Sequence, residues 1–275
     1  MGLKRKWAAL AAGCLCMSLC LLSCGNPVKP EKAEQGTEAK EETKEESFLS
    51  DISGTEPGTV LDAEELDLSR SEQYFQIQEI NEEIRGEISG KSYTENPDIF
   101  LEDLRYLKVL HYNYEHQIQV GELIVNRKIA EDCRNIFLEL FRAEYEIFSM
   151  YLVDRYWTGN GVDSDTNSIG HNNTSAFNYR VVPGTDRLSN HAMGFAIDVN
   201  PVENPYVQYA ADGSFAVYYK DMELYIDRES GKPHMINHQD IAYQTFSKYG
   251  FTWGGDWTST KDYQHFEKKV LGYNR

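Results

Sequence analysis

The chain has 275 residues, 41% of them apolar and 12% aromatic, too many for a wholly disordered polymer. Its 44 acidic against 27 basic side chains leave a formal charge of −17. That excludes a nucleic-acid partner and polybasic docking on a membrane, because both require clustered Lys and Arg. The excess is uneven: residues 31–70 carry a net −9, and residues 71–275 carry −12.

Lys4, Arg5 and Lys6 precede an apolar run from Trp7 to Leu22, which closes with Leu21-Leu22-Ser23-Cys24. A basic start, a short apolar stretch and a small residue before the break are the parts of a secretory signal. The run is short for a membrane-spanning helix, and a polar tract follows it directly. Leu-Leu-Ser-Cys resembles a bacterial lipobox, which implies a signal peptide over residues 1–23 and lipidation of Cys24. An ordinary signal peptide or anchor that contains Cys14, Cys16, Cys20 and Cys24 is the competing reading. On the lipobox reading the protein is extracytoplasmic and held at the bacterial cell membrane by its lipid. Only Cys24 and Cys133 then survive cleavage, so no intramolecular disulfide forms. Cys133 sits in an apolar helical stripe, where a buried, inert thiol is favoured over a nucleophile.

Residues 24–70 read as an acidic, self-repelling tether with a root-mean-square reach of roughly 40 Å. A weak helix around Ala63–Leu68 is the exception. From residue 71 to residue 275 the composition becomes that of one mixed domain. Ile80, Ile84 and Ile88 space a short amphipathic helix that Gly90 closes. Lys108–Tyr114 and Gln117–Val125 read as paired strands. Asn126 is placed to cap a helix carrying the stripe Ile129, Cys133, Ile136, Phe137, Leu140 and Phe141. The polar stretch 158–174 reads as a functional loop or lid. Asn237 is placed to cap a helix running to about Tyr249, with Gly250 at its end.

The chemistry concentrates later in the chain. From Phe195 to Asn200 the residues alternate, which puts Phe195, Ile197 and Val199 on one strand face and Asp198 on the other. Gly194 permits a sharp entry, and His191 lies just before it. Downstream stand Trp253-Gly-Gly-Asp-Trp257 and Asp262-Tyr-Gln-His265-Phe-Glu267. Two imidazoles and a carboxylate suit a zinc site that keeps a fourth position open. Taken singly, each of these residues reads as well as a turn or packing residue.

In combination, Ser189-x-His191-x-x-Gly194-x-Ala196-x-Asp198 and Asp262-x-x-His265 resemble the zinc D-Ala-D-Ala peptidases of family M15. Trp-Gly-Gly-Asp-Trp, His-Phe-Glu and Asn173–Arg180 resemble the branch containing VanY-like carboxypeptidases and L-alanyl-D-glutamate endopeptidases. The resemblance covers roughly residues 75–275. It implies an α+β domain with a small antiparallel sheet and flanking helices, similar to the Hedgehog N-terminal domain. It further implies zinc held by His191, Asp198 and His265, with Asp262 as catalytic base and Asp256 as the rival. Arg180, Arg187 and Ser189 are candidates for substrate binding, each with a structural alternative. The implied function is hydrolysis of peptidoglycan stem peptides by a monomer. The open outcomes are a D-alanyl-D-alanine carboxypeptidase, an endopeptidase of the same family and an inactive wall-binding lipoprotein.

Overall fold

A computed structural model describes residues 48–271. The largest sheet has four antiparallel strands in the order β1-β4-β3-β2. These are β1 (Val60–Leu61), β2 (Gln76–Glu79), β3 (Leu104–Tyr112) and β4 (Ile118–Asn126). The hairpin β3–β4 runs in register from Leu104 opposite Asn126 to Tyr112 opposite Ile118. Asn113 sets the turn, its side-chain oxygen accepting from the backbone N–H of Glu115 and Gln117. Between β2 and β3 lies α1 (Glu82–Ile88), capped by Asn81, with Ile84 and Ile88 buried. Gly90 follows it at φ +76°, as the sequence anticipates.

The next helix, α2 (Ala130–Arg142), carries the expected stripe inward, with Cys133 fully buried. Burial pushes that thiol well above its ordinary range, so it is chemically quiet. Phe141 stacks on Tyr112 of β3 at 5.2 Å, and Phe137 meets Phe246 edge-on at 6.2 Å. Phe246, on the later helix α4 (Ile241–Lys248), stacks in turn on Phe266 at 4.2 Å. This aromatic run links the large sheet, through two helices, to the strand that carries His265.

Two short strands, β5 (Ser149–Met150) and β6 (Asn173–Thr174), pair in parallel on either side of α3 (Gly161–Gly170). Beyond them come β7 (Ala196–Asp198), β8 (Tyr206–Tyr209), β9 (Phe215–Ala216), α4 (Ile241–Lys248), β10 (Thr252–Trp253), β11 (Thr260–Asp262) and β12 (His265–Glu267). They form two three-stranded sheets, β10-β12-β7 and β11-β8-β9, with antiparallel pairing throughout. Helices and small antiparallel sheets make this an α+β domain, as expected.

Four local expectations are corrected. Residues 48–70, placed in the tether by composition, pack on the domain. Ile52 is fully buried, β1 pairs with β4, and the Lys108 ammonium donates to the Ser53 and Thr55 carbonyls at 2.8 Å each. The described domain therefore begins some twenty residues before 71. Asn126 does not cap α2; its side chain accepts from the Lys128 N–H and donates to the Met193 carbonyl. The stretch 158–174 holds a helix, α3, capped by Asn160. Asp240, not Asn237, caps α4, accepting from the Ala242 N–H. Residues 1–47, including the lipobox and Cys24, lie outside the described residues.

Candidate metal centre and catalytic cleft

Strand β12 alternates His265, Phe266 and Glu267. Phe266 is fully buried on the core side, so its two neighbours face the opposite way. Antiparallel pairing sets His265 directly opposite Asp198 and Phe266 opposite Ile197, itself fully buried. Two functional groups 67 residues apart thus become cross-strand neighbours, held by an apolar pair beside them. On its other side Asp198 exchanges backbone hydrogen bonds with Ser175.

His191 comes from a 3-10 turn, His191–Met193, which ends at Gly194 in the left-handed region. A Cβ on Gly194 would lie 2.6 Å from the backbone nitrogen of Asn126, whose N–H donates to the Gly194 carbonyl. Only glycine lets this turn lock onto the end of β4. The imidazole is thereby delivered beside the β7–β12 pair.

One nitrogen or oxygen from each of His191, Asp198 and His265 lies within 4.8 Å of the other two, and all three residues are buried. The converging atoms are His191 Nε2, the Asp198 oxygens and His265 Nδ1. His265 Nδ1 lies 3.0 Å from Asp198 Oδ1, and His191 Nε2 lies 3.3 Å from Asp198 Oδ2. The other nitrogens are engaged outward: His191 Nδ1 meets the Ala176 carbonyl at 2.6 Å, and His265 Nε2 meets Glu267 at 3.2 Å. When each ring is neutral and donates its outer N–H, both imidazole lone pairs turn inward, the arrangement that zinc binding requires. Two nitrogens and a carboxylate oxygen are zinc's preferred donors, so the residues present fit that ion.

Burial opposes charge throughout this group. It would raise Asp198, but the two histidines outweigh it and hold the carboxyl well below its usual range. It would lower His265, but Asp198 and Glu267 outweigh it and lift the imidazole to about 10. Without metal, these shifts favour a protonated His265 beside an ionised Asp198.

Asp262, at the end of β11, is a second carboxyl of the site and is partly buried. Burial pushes it up to about 7, with His265 pulling it down and Asp198 adding to the rise. Among the described residues, its Oδ1 has no hydrogen-bond partner. The Trp-Gly-Gly-Asp-Trp motif acquires its reason here. A Cβ on Gly254 would lie 2.5 Å from the Asp262 carbonyl oxygen and 3.2 Å from His265 Cβ, and one on Gly255 would strike the Trp253 indole. Asp256 is half exposed and pairs with His238 at 2.8 Å, away from the cleft walls.

The cluster opens into a cleft of about 920 Å³, walled in part by Arg180, Arg187, Ser189, Tyr206, Tyr218 and Trp257. All the expected substrate-binding residues line it, but only some are free. Arg187 is exposed. Ser189 is buried and its hydroxyl accepts from the His191 N–H, so it braces the ligand turn. Arg180 is held by Asp165 of α3 at 2.6 Å.

Three residues that sequence reasoning passed over belong to this site: Glu267, Asp165 and Gln264. Glu267 had a usable signal, because a residue two places from His265 on a strand shares its face. Asp165 had none, because α3 was not recognised as a helix. Gln264 is buried against the cleft with its Oε1 unpartnered.

Residues 183–268 match a peptidase M15 family model described as D-alanyl-D-alanine carboxypeptidase. The M15 resemblance is borne out over that segment, which contains His191, Asp198, Asp262 and His265 but stops short of Arg180. No curated protein and no solved structure matches the chain.

Proposed function

We propose that this M15 peptidase is a zinc-dependent hydrolase of peptidoglycan stem peptides, acting as a D-alanyl-D-alanine carboxypeptidase. The observation that carries the reading is the cross-strand pair His265–Asp198 with His191 Nε2 turned onto it, in a site shared with Asp262, whose Oδ1 has no hydrogen-bond partner among the described residues. Zinc held by His191, Asp198 and His265 would supply a Lewis acid that polarises the scissile carbonyl and acidifies water. Asp262 takes a proton from the attacking water and returns it to the leaving amine. Tyr206, Tyr218 and Trp257 wall the cleft beside the reacting bond.

A terminal D-alanine presents a carboxylate, for which an arginine is the natural partner. Arg187 is free to serve and Arg180 is partly engaged. The Asp165–Arg180 pair favours a second reading, an endopeptidase of the L-alanyl-D-glutamate kind, because it offsets the buried cation. Incubation of the purified chain and zinc with muropeptides separates the outcomes by mass spectrometry. Loss of one alanine supports the carboxypeptidase, an internal cut supports the endopeptidase, and bound zinc without cleavage points to a wall-binding lipoprotein.

The lipobox supports a further part of the proposal, attachment to the extracytoplasmic face of the bacterial cell membrane through Cys24. Labelled fatty acid should enter the chain and be lost in Cys24→Ala.

A further inference from the structure

The two imidazoles of the centre are held from outside by unlike partners. His191 leans on a backbone carbonyl, that of Ala176, which the fold fixes and no substitution at that residue removes. His265 leans on a side chain, the Glu267 carboxylate, 3.2 Å from its Nε2. That carboxylate is itself gripped. Asn190, the residue immediately before His191, donates its side-chain N–H to the same Glu267 oxygen. The chain Asn190–Glu267–His265 therefore runs between the two ligand-bearing segments, one on each side of the centre. The Glu267 side chain is only 15% exposed.

An imidazole carries its proton on either nitrogen, and only one of those forms is useful here. If Nε2–H is donated outward, Nδ1 presents its lone pair beside Asp198 and His191 Nε2. If the proton sits on Nδ1, the lone pair faces away from the centre. An acceptor at Nε2 selects the first form and fixes the ring's rotation. Among the described residues, Glu267 is the group that meets the His265 Nε2 atom.

We infer that Glu267 is a positioning residue of the metal centre, holding His265 with its Nδ1 lone pair inward, and that Asn190 holds Glu267 to the task. The inference rests on the zinc reading of His191, Asp198 and His265, and it does not require Glu267 to touch metal or substrate.

Zinc affinity of the full purified chain, measured by competition with a chromogenic chelator, tests it without recourse to activity. Glu267→Ala should weaken zinc binding by about 10- to 100-fold, the usual cost of losing an outer partner of a ligating histidine. Glu267→Gln should stay within about threefold of the parent, because its amide oxygen still accepts the Nε2–H. Asn190→Ala should fall between them, and it covers the case in which Glu267→Ala fails to fold. Nitrogen-15 spectra of the zinc-loaded chain should show His265 protonated at Nε2 in the parent and in Glu267→Gln. Parent-like zinc affinity in Glu267→Ala would overturn the inference, as would an equal loss in Glu267→Gln, which would mean that charge rather than orientation matters. If His265→Ala also retains zinc, the metal-site reading itself is what fails.

Discussion

Arg180 and Asp165 form an ion pair of 2.6 Å inside the cleft wall, with side chains only 9% and 8% exposed. The Arg180 Nε is buried without a partner among the described residues, so the guanidinium has donor capacity left over while its charge is offset. A substrate carboxylate approaching Arg180 must share it with Asp165. Asp165→Asn removes the competing charge yet keeps an oxygen for the guanidinium. The ratio of kcat/KM for a stem peptide with a free C-terminal carboxylate over its amide should therefore rise about tenfold, or about 1.4 kcal/mol. Hydrolysis of the matched acid and amide peptides checks this. An unchanged ratio would assign carboxylate capture elsewhere, with Arg187 the next to test.

The roles in the centre separate by metal retention. His191→Ala, Asp198→Ala and His265→Ala should each lose zinc, read as metal content after dialysis. Asp262→Asn should keep zinc and lose about 10²- to 10⁴-fold in turnover, the range for removal of a general base. Asp256→Asn breaks only its surface pair with His238 and should leave turnover near that of the parent. If Asp262→Asn remains active, the base has been misassigned.

Much of this centre was legible because strand alternation is local. The run Phe195 to Asn200 announces which way Asp198 faces, and β12 repeats the pattern with Phe266 between His265 and Glu267. Pairing register is not local. Nothing near His265 says that Asp198 lies opposite, so the link from Glu267 through His265 emerged only with the fold. Residues 48–70 looked like tether because their mean polarity outweighs two isolated anchors, Ile52 and Leu66, which matter only once β4 offers this segment a partner strand. Helix α3 was hidden because Gly, Asp, Ser, Thr and Asn are weak helix formers. Tertiary burial of Ser164, Ser168 and Ile169 overrides that preference. Asn237, the expected cap of α4, and Asp240, the observed one, lie three residues apart and carry similar capping side chains, so local chemistry alone does not choose between them.

Metal-free protein should lose stability as pH rises. His265 is lifted to about 10, so the stability from its proton is complete below about pH 6.5 and is lost as pH climbs through 10. Asp262, lifted to about 7, acts in the same direction from about pH 4 to 7, because burial favours its neutral form. Buried His111, lowered to about 4 by desolvation, runs the other way below pH 6.5, so the clean window lies above it. Between about pH 7 and 8, below the range in which the buried Cys133 thiol adds a loss of the same sign, the metal-free chain should lose up to about 1.4 kcal/mol per pH unit. Zinc, by displacing the proton on His265, should flatten that slope. Urea unfolding across this range, with and without zinc, measures both. A metal-free slope of zero would remove His265 as the proton's seat.

Gly194 couples the fold to the centre. Its φ of +68° already disfavours any side chain, and an added Cβ would meet the Asn126 backbone nitrogen at 2.6 Å. Gly213 provides the comparison, with φ +84° and nothing within 4 Å of an added Cβ. Gly213→Ala should cost about 1 kcal/mol, the penalty of the left-handed backbone alone. Gly194→Ala should cost about 2–4 kcal/mol, because backbone must move as well. The turn that shifts is the one carrying His191, so zinc affinity should fall in Gly194→Ala and stay at the parental value in Gly213→Ala. Equal stability loss in the two variants would show that the approach to β4 is slack, and the zinc titration would then show no difference either.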